Sequence, residues 1–284
     1  MKANNIIITL IILVLVGIVL FFALRAKPQP SVSVENLTLL DTVYLSEQEP
    51  TLGNMTIEFN IDFPVQFSDQ NVLGKLKSII FKELFGENFA DYAEDSLLTD
   101  YAATLGKEYI DNNADFAKRI TDGSRLSFNN AIILDGFALH HDQHVFSYGI
   151  SRFVDFGGAH PNRTRLFYNF DLRDGSIITE DEIFKEGYQT ELSEIIKTKL
   201  LGDLNANEDT PFMENFDNSD YYPDEIKPNG NFYIHKEGIN YIFNPYEIAP
   251  YYMGETEVVL PYELIVYLMK EGNPLEYLAL TINN

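Results

Sequence analysis

At 284 residues, with 45% hydrophobic and 13% aromatic side chains, the chain holds ample material for one large core or two small ones, which excludes a disordered protein. It contains no cysteine, so a disulfide framework, a thiolate nucleophile and a cysteine metal site are all excluded. The formal charge is −23, and setting aside Lys2, Arg25 and Lys27 leaves 17 basic against 43 acidic residues, or −26; a field of that sign repels nucleic acid and anionic lipid and favours cations or basic proteins.

After a tail of residues 1–5, Ile6 to Leu24 is uncharged and apolar, interrupted only by Thr9 and Gly17, and is long enough to cross a bilayer core of roughly 30 Å. A cleaved signal peptide would have a shorter apolar region and a small-x-small site, and Leu24-Arg25-Ala26 is a poor one, so the reading is an uncleaved signal-anchor. Residues 25–31 then form a short stiff stalk. Val32 to Leu45 is β-branched and apolar. In Asn54 to Phe67, residues Ile57, Phe59, Ile61, Phe63, Val65 and Phe67 alternate with polar neighbours, so both stretches are expected as half-buried antiparallel strands. Helices are expected from Leu73 to Leu84, ending at Gly86, and from Tyr92 to Tyr109.

Arg125 to His140 and Val145 to Asp155 read as strands joined by a histidine-bearing turn, and Leu166 to Leu172 as a third, closed by Asp174-Gly175. Thr179 and Glu182 form a capping-box pattern. A helix follows from Tyr188 to Leu204, stopping near Gly202, and then a polar acidic loop over Asn205 to Asn229. Phe232 to Phe243 is a hairpin, Asn244 to Gly254 a long connection, Thr256 to Leu260 a strand, and Tyr262 to Met269 a closing helix. Strand runs separated from helix runs predict an α+β fold with antiparallel sheets. Two small subdomains, residues 32–124 and 125–284, are expected behind the N-terminal transmembrane helix.

Between the second and third of those strands lies Gly157-Gly158-Ala159-His160-Pro161-Asn162. Adjacent glycines accept φ > 0, and Pro161 drives His160 towards an extended conformation, so an imidazole is presented beside a tight turn. A valine at Gly158 is therefore expected to damage folding. GGAHPN, then YNFDLRDGSIITEDEIF, then FYIHKEGINYIFNPYEIAPYYMGETEVVLPY, resembles the extracytoplasmic domain shared by RsiV-type anti-sigma factors and PdaC-type cell-wall deacetylases, over roughly Ser33 to Tyr262. The resemblance implies that the large domain lies outside the membrane. In RsiV-type proteins it also implies a cytoplasmic sigma-binding segment and an outer domain that recognises lysozyme. Only Met1 to Asn5 precede the span here, too few to bind a sigma factor, and the Asp-Asp pair of the deacetylase domain is absent, so neither activity is expected to carry over.

His140 and His144 stand four apart, a metal-binding spacing on a helix, but here they rim a turn. Asp203, Asn205, Asn207, Asp209 and Glu214 occupy calcium-loop positions, yet Glu208 stands where the sharp turn needs glycine and Pro211 constrains the loop, so an acidic loop is the reading adopted. No cofactor is implied. His160 lacks a neighbouring nucleophile motif and reads as a hydrogen-bonded turn histidine rather than a general base. Tyrosine is concentrated late, with 10 of 17 from Tyr221 onward; Tyr233 and Tyr241 fall on strands and read as core, whereas Tyr246, Tyr251 and Tyr252 fall in a loop, where they suit a recognition surface.

The expectation is thus a membrane-anchored extracytoplasmic binding or sensory domain without catalysis. Its binding residues would be Gly157, Gly158, His160, Tyr246, Tyr251 and Tyr252. Its ligand would be a basic envelope protein such as lysozyme, or peptidoglycan. The alternative is a hydrolase or deacetylase-associated enzyme acting on cell-wall glycan, for which His160 and acids would have to converge.

Overall fold

The structure is a computed structural model, and it describes residues 31–87, 94–117, 128–207, 212–217 and 219–280. The expected tail, the membrane span Ile6 to Leu24 and nearly all of the stalk lie outside these residues. Among the described residues no helix is long and apolar enough to cross a membrane.

A five-stranded sheet is built from β1 (Ser33–Tyr44), β2 (Asn54–Gln66), β3 (Asn130–His141), β4 (Val145–Asp155) and β5 (Asn162–Asp171), in that spatial order. The alternation legible in β2 decides its faces: Ile57, Phe59, Ile61 and Phe63 are all buried. Helices α1 (Gln70–Phe85) and α2 (Glu94–Ala117) supply the other half of this core, through residues such as Leu76, Ile80, Leu84 and Leu97. Asp69 caps α1, its carboxylate accepting from the backbone N–H of Asn71 and Val72.

The sheet is not wholly antiparallel, because β2 and β3 run parallel. The intervening helical crossover carries the chain back to the end at which β2 began, and parallel pairing needs such a crossover. The same pairing corrects the expected division at residue 124: one sheet and one core extend from Val32 to Leu172, and the second core draws on Val145 and on Ile178 to Ala279. Strand pairing at long range, invisible in local pattern, moved that boundary.

The second unit comprises α3 (Glu180–Ile183), α4 (Gln189–Ala206), the sheet β6 (Phe232–His235), β7 (Gly238–Phe243) and β8 (Thr256–Pro261), α5 (Tyr262–Ile265) and α6 (Glu276–Leu280). The Thr179 capping box is present, with the Thr179 N–H donating to the Glu182 carboxylate over 2.8 Å. Helix α4 continues past Gly202 to Ala206, since one interior glycine costs only about 1 kcal/mol. The expected closing helix is shorter, α5 giving way to a 3-10 turn at Val266–Leu268, and α6 was not foreseen. The acidic loop is less open than expected, because Phe216 and Ile226 enter the second core.

β4 shows how the units meet. Phe146, Tyr148 and Ile150 face the first core while Val145 belongs to the second, and Ser147 between them is fully buried. β5 is the edge of the first sheet, and carboxamides from the second unit occupy its outer backbone groups. Asn231 accepts from the Phe167 N–H over 3.1 Å and donates to the Arg165 carbonyl over 2.9 Å; Asn244 accepts from the Arg165 N–H over 2.7 Å. These bonds close an edge that would otherwise be an open template for strand addition. The second unit thereby covers one end of the sheet's helix-free face and leaves the other end open.

Candidate functional site

The glycine turn and the tyrosine loop, 86 residues apart in sequence, meet. Asp155 ends β4 and accepts from the Gly157 N–H over 2.9 Å, which closes the turn. The left-handed residue is Gly157, at φ 71°; Gly158 stays outside that region with open space around its Cα, so the strain expected of a valine belongs at 157. His160 Nδ1 lies 2.9 Å from the Pro161 carbonyl and Nε2 lies 3.1 Å from the Tyr246 hydroxyl. A carbonyl only accepts, so Nδ1 carries the proton, and in the neutral ring Nε2 accepts from Tyr246.

Tyr251 stacks on the His160 ring at 3.7 Å between centroids and 21° between planes, and its hydroxyl donates to the same Pro161 carbonyl over 2.5 Å. Tyr246 packs beside Tyr251 at 5.5 Å. Tyr246 is also the one non-glycine residue with positive φ among the described residues, at 75°. A bulky L-residue held there stores on the order of 1–3 kcal/mol, tolerated where surrounding structure over-determines it, and such outliers cluster at functional sites. Tyr246 is 57% and Tyr252 69% exposed, so the patch reaches solvent. Tyr252 is no part of the stack; the Asp220 carboxylate holds its hydroxyl above the usual phenol range. As expected, Tyr241 is fully buried, while Tyr233 is half-buried with its hydroxyl donating to Glu257 over 2.7 Å.

The other polar constellations are held by structural bonds. In the turn between β3 and β4, Asp142 accepts from the backbone N–H of His144 at 2.7 Å and Val145 at 2.8 Å, from the Tyr277 hydroxyl at 2.5 Å, and lies 3.2 Å from His140 Nε2. Burial pushes this carboxyl up, but the four donors more than reverse that and hold it well below the usual carboxylate range. A depressed folded value means stabilisation present above the unfolded pKa of about 3.9 and lost as pH falls below it. Urea denaturation at stepped pH should therefore show wild type losing more stability between about pH 4 and pH 2 than Asp142→Asn, which has no such proton to bind.

Of the calcium-loop positions, Asp203 sits in α4 and pairs with Lys199, and Asn205 is spent on Met213, accepting from its N–H and donating to its carbonyl. The helix runs on to Ala206, so Asp203 and Asn205 lie on it rather than in a loop. Asp209 lies outside the described residues. Among the described residues no cluster of three metal-ligating side chains occurs.

Comparison with known proteins places the second unit. Residues 181–263 match the family model DUF3298, a protein family of unknown function. A crystal structure of a DUF3298 member from Bacteroides fragilis NCTC 9343 superposes with a TM-score of 0.78 at 22% identity, covering 90% of this chain and 100% of that one. One from Pseudomonas aeruginosa PAO1 superposes at 0.54 with 15% identity, covering 86% and 95%. At such identities the likeness concerns the fold. The peptidoglycan-N-acetylmuramic acid deacetylase PdaC of Bacillus subtilis (strain 168) is 24% identical over 193 residues, which are 64% of this chain and 38% of PdaC. The chain thus spans well under half of that relative's length. The PdaC-like part of the sequence resemblance holds, and the α+β architecture with it.

Sequence reasoning selected the loop tyrosines but passed over Asp135, Arg163 and Arg165, which share the open face of the first sheet. The available signal was two arginines at alternate positions of one strand in a chain with a large acidic excess.

Proposed function

We propose that the protein is a non-catalytic extracytoplasmic binding domain, held at the membrane by Ile6 to Leu24, whose ligand is a basic protein of the cell envelope. The observation that carries this reading is the strained, exposed Tyr246, locked against His160 and Tyr251. Rigid amphipathic rings at the surface are the residue type from which interface anchors are made. The −26 charge beyond the stalk favours a cationic partner and fast encounter. The non-catalytic reading draws support from His160, whose two ring nitrogens are engaged by a backbone carbonyl and a tyrosine.

The test is titration of the full chain in detergent with lysozyme and with an unrelated protein of equal positive charge, at low and at physiological salt. Lysozyme is expected to keep its affinity better as the Debye length shrinks from about 30 Å at 0.01 M to about 8 Å at 0.15 M. Tyr246→Gly, which relieves the strained φ, should weaken that binding about tenfold or more while leaving thermal stability unchanged or raised. Equal affinities for the two proteins, vanishing together as salt rises, would mean that charge alone is read and would sink the proposal.

A further inference from the structure

The open end of the first sheet's helix-free face forms a cleft of about 540 Å³. Strand register aligns Asn60, Asp135, Ser151 and Arg165 side by side across β2 to β5. One row along, Gly149 lies between Phe137 and Phe167. A Cβ at Gly149 would come within 2.5 Å of the Phe137 ring and 2.9 Å of the Phe167 ring, so the glycine is what lets the two rings pack edge to face over the strand, at 76° to each other, with Phe167 buried and Phe137 half-buried at the cleft. Arg165 is spent on this framework: it pairs with Glu255 over 2.6 Å and lies 5.5 Å and 5.1 Å from the two ring centroids.

Asp135 and Arg163 are not spent. The Asp135 side chain is half-buried and has no hydrogen-bond or ion-pair partner among the described residues. Burial holds its carboxyl above the usual carboxylate range, with Arg163 acting in the opposite direction and Glu58 adding to the rise. Arg163 rests on the Phe153 ring at 5.4 Å and gives one hydrogen bond, to Ser151 Oγ over 3.2 Å, from a fork of five N–H donors. A carboxylate that only accepts and a guanidinium that only donates therefore face one cleft, each within the other's field and neither paired. A ligand carboxylate would satisfy Arg163 and be repelled by Asp135, and an ammonium would do the reverse. A neutral group that donates on one side and accepts on the other satisfies both.

We propose that this cleft binds an N-acetylated amino-sugar oligomer, the acetamido N–H donating to Asp135, its carbonyl accepting from Arg163, and the sugar ring lying on Phe137. At the far end Asn36 donates to Asn60 Oδ1 and Asp62 Oδ1 over 3.0 Å each, and together the two carboxamides and the Asp62 carboxylate offer groups suited to sugar hydroxyls. The site uses none of the residues of the tyrosine patch, so it stands or falls separately from the partner proposed above.

Isothermal titration of the full chain in detergent, at physiological salt, with a tetramer of N-acetylglucosamine, its fully deacetylated form and cellotetraose separates the alternatives. The acetylated tetramer is expected to bind at least tenfold more tightly than either, because hydrogen bonds to charged groups carry the discrimination. The order is opposite to what charge would give, since the deacetylated tetramer is cationic and the protein acidic. Asp135→Ala and Arg163→Ala should each reduce affinity for the acetylated tetramer about tenfold or more, and Glu225→Ala, on a remote turn, should not. Saturation-transfer NMR on wild type alone should find the acetyl methyl to be the most strongly contacted ligand group, which holds the proposal to account even where a variant fails to fold. Tighter or equal binding of the deacetylated tetramer, no detectable binding of the acetylated one at 10 mM (on the order of the weakest affinity such an assay reads), or full affinity in folded Asp135→Ala would overturn it.

Discussion

Asn169→Leu is expected to cost about 4 kcal/mol, a large share of a domain stability of roughly 5–15 kcal/mol. The Asn169 carboxamide, almost fully buried, accepts from Ser147 Oγ over 2.7 Å and from the Ile234 N–H over 3.0 Å, and donates to the Phe232 carbonyl over 2.8 Å. Leucine matches it in size but leaves two backbone groups of β6 unpaired in the dry contact between the units, at about 1–3 kcal/mol each, and loses the hydroxyl bond as well. In thermal denaturation this corresponds to a fall of about 8 °C or more, at roughly 2–4 °C per kcal/mol for a domain of this size. Asn36→Leu, an exposed carboxamide on β1, is the control and should move stability by less than about 0.5 kcal/mol. A fall of only one or two degrees for Asn169→Leu would mean that the interface adjusts and that the carboxamide clamp is not what joins the units.

Gly238→Ala is expected to be at least as damaging, by a different route. A Cβ on Gly238 would lie 2.2 Å from the Leu260 carbonyl oxygen and 3.0 Å from Pro261 Cα, both backbone atoms of β8. β7 is the central strand of its sheet and is buried along its whole length, so neither it nor β8 can give way without uncovering Ile239, Tyr241 and Leu260. Overpacking against fixed backbone puts the loss at about 3 kcal/mol or more. Hydrogen exchange should show protection falling first across residues 232–261, while β1 to β4 retain theirs. Gly202→Ala sets the opposite sign: inside α4, with nothing within 4 Å of the added methyl, it should stabilise by about 0.5–1 kcal/mol. Full protection of β7 and β8 in Gly238→Ala would show that the two strands have more freedom than their contact distance allows.

Periodicity made the elements legible because burial has a period that sequence shares. The alternation of Ile57 to Phe63 named the core face of β2, and Thr179 with Glu182 placed the start of α3, each through contacts within a few residues. The same local rules misplaced the end of α4 at Gly202, since a single glycine weakens a helix less than tertiary packing supports it. The left-handed glycine of the turn is expected at 158 but stands at 157, because a φ angle depends on which neighbour accepts the hydrogen bond, here Asp155 taking the Gly157 N–H.

By itself, then, the sequence determined the α+β class, most strand and helix positions, the acidic character and the turn that carries His160, all of which rest on composition or on short-range pattern. Tertiary structure alone decided that β2 and β3 pair in parallel, that the first unit closes at Leu172 rather than at residue 124, and that His160 meets Tyr246 and Tyr251. It alone also put Asp135 from β3 beside Arg163 from β5 in one cleft. Each of these joins residues separated by tens of positions, and chain connectivity leaves such pairings open until two apolar faces are buried together and the backbone edges between them are satisfied.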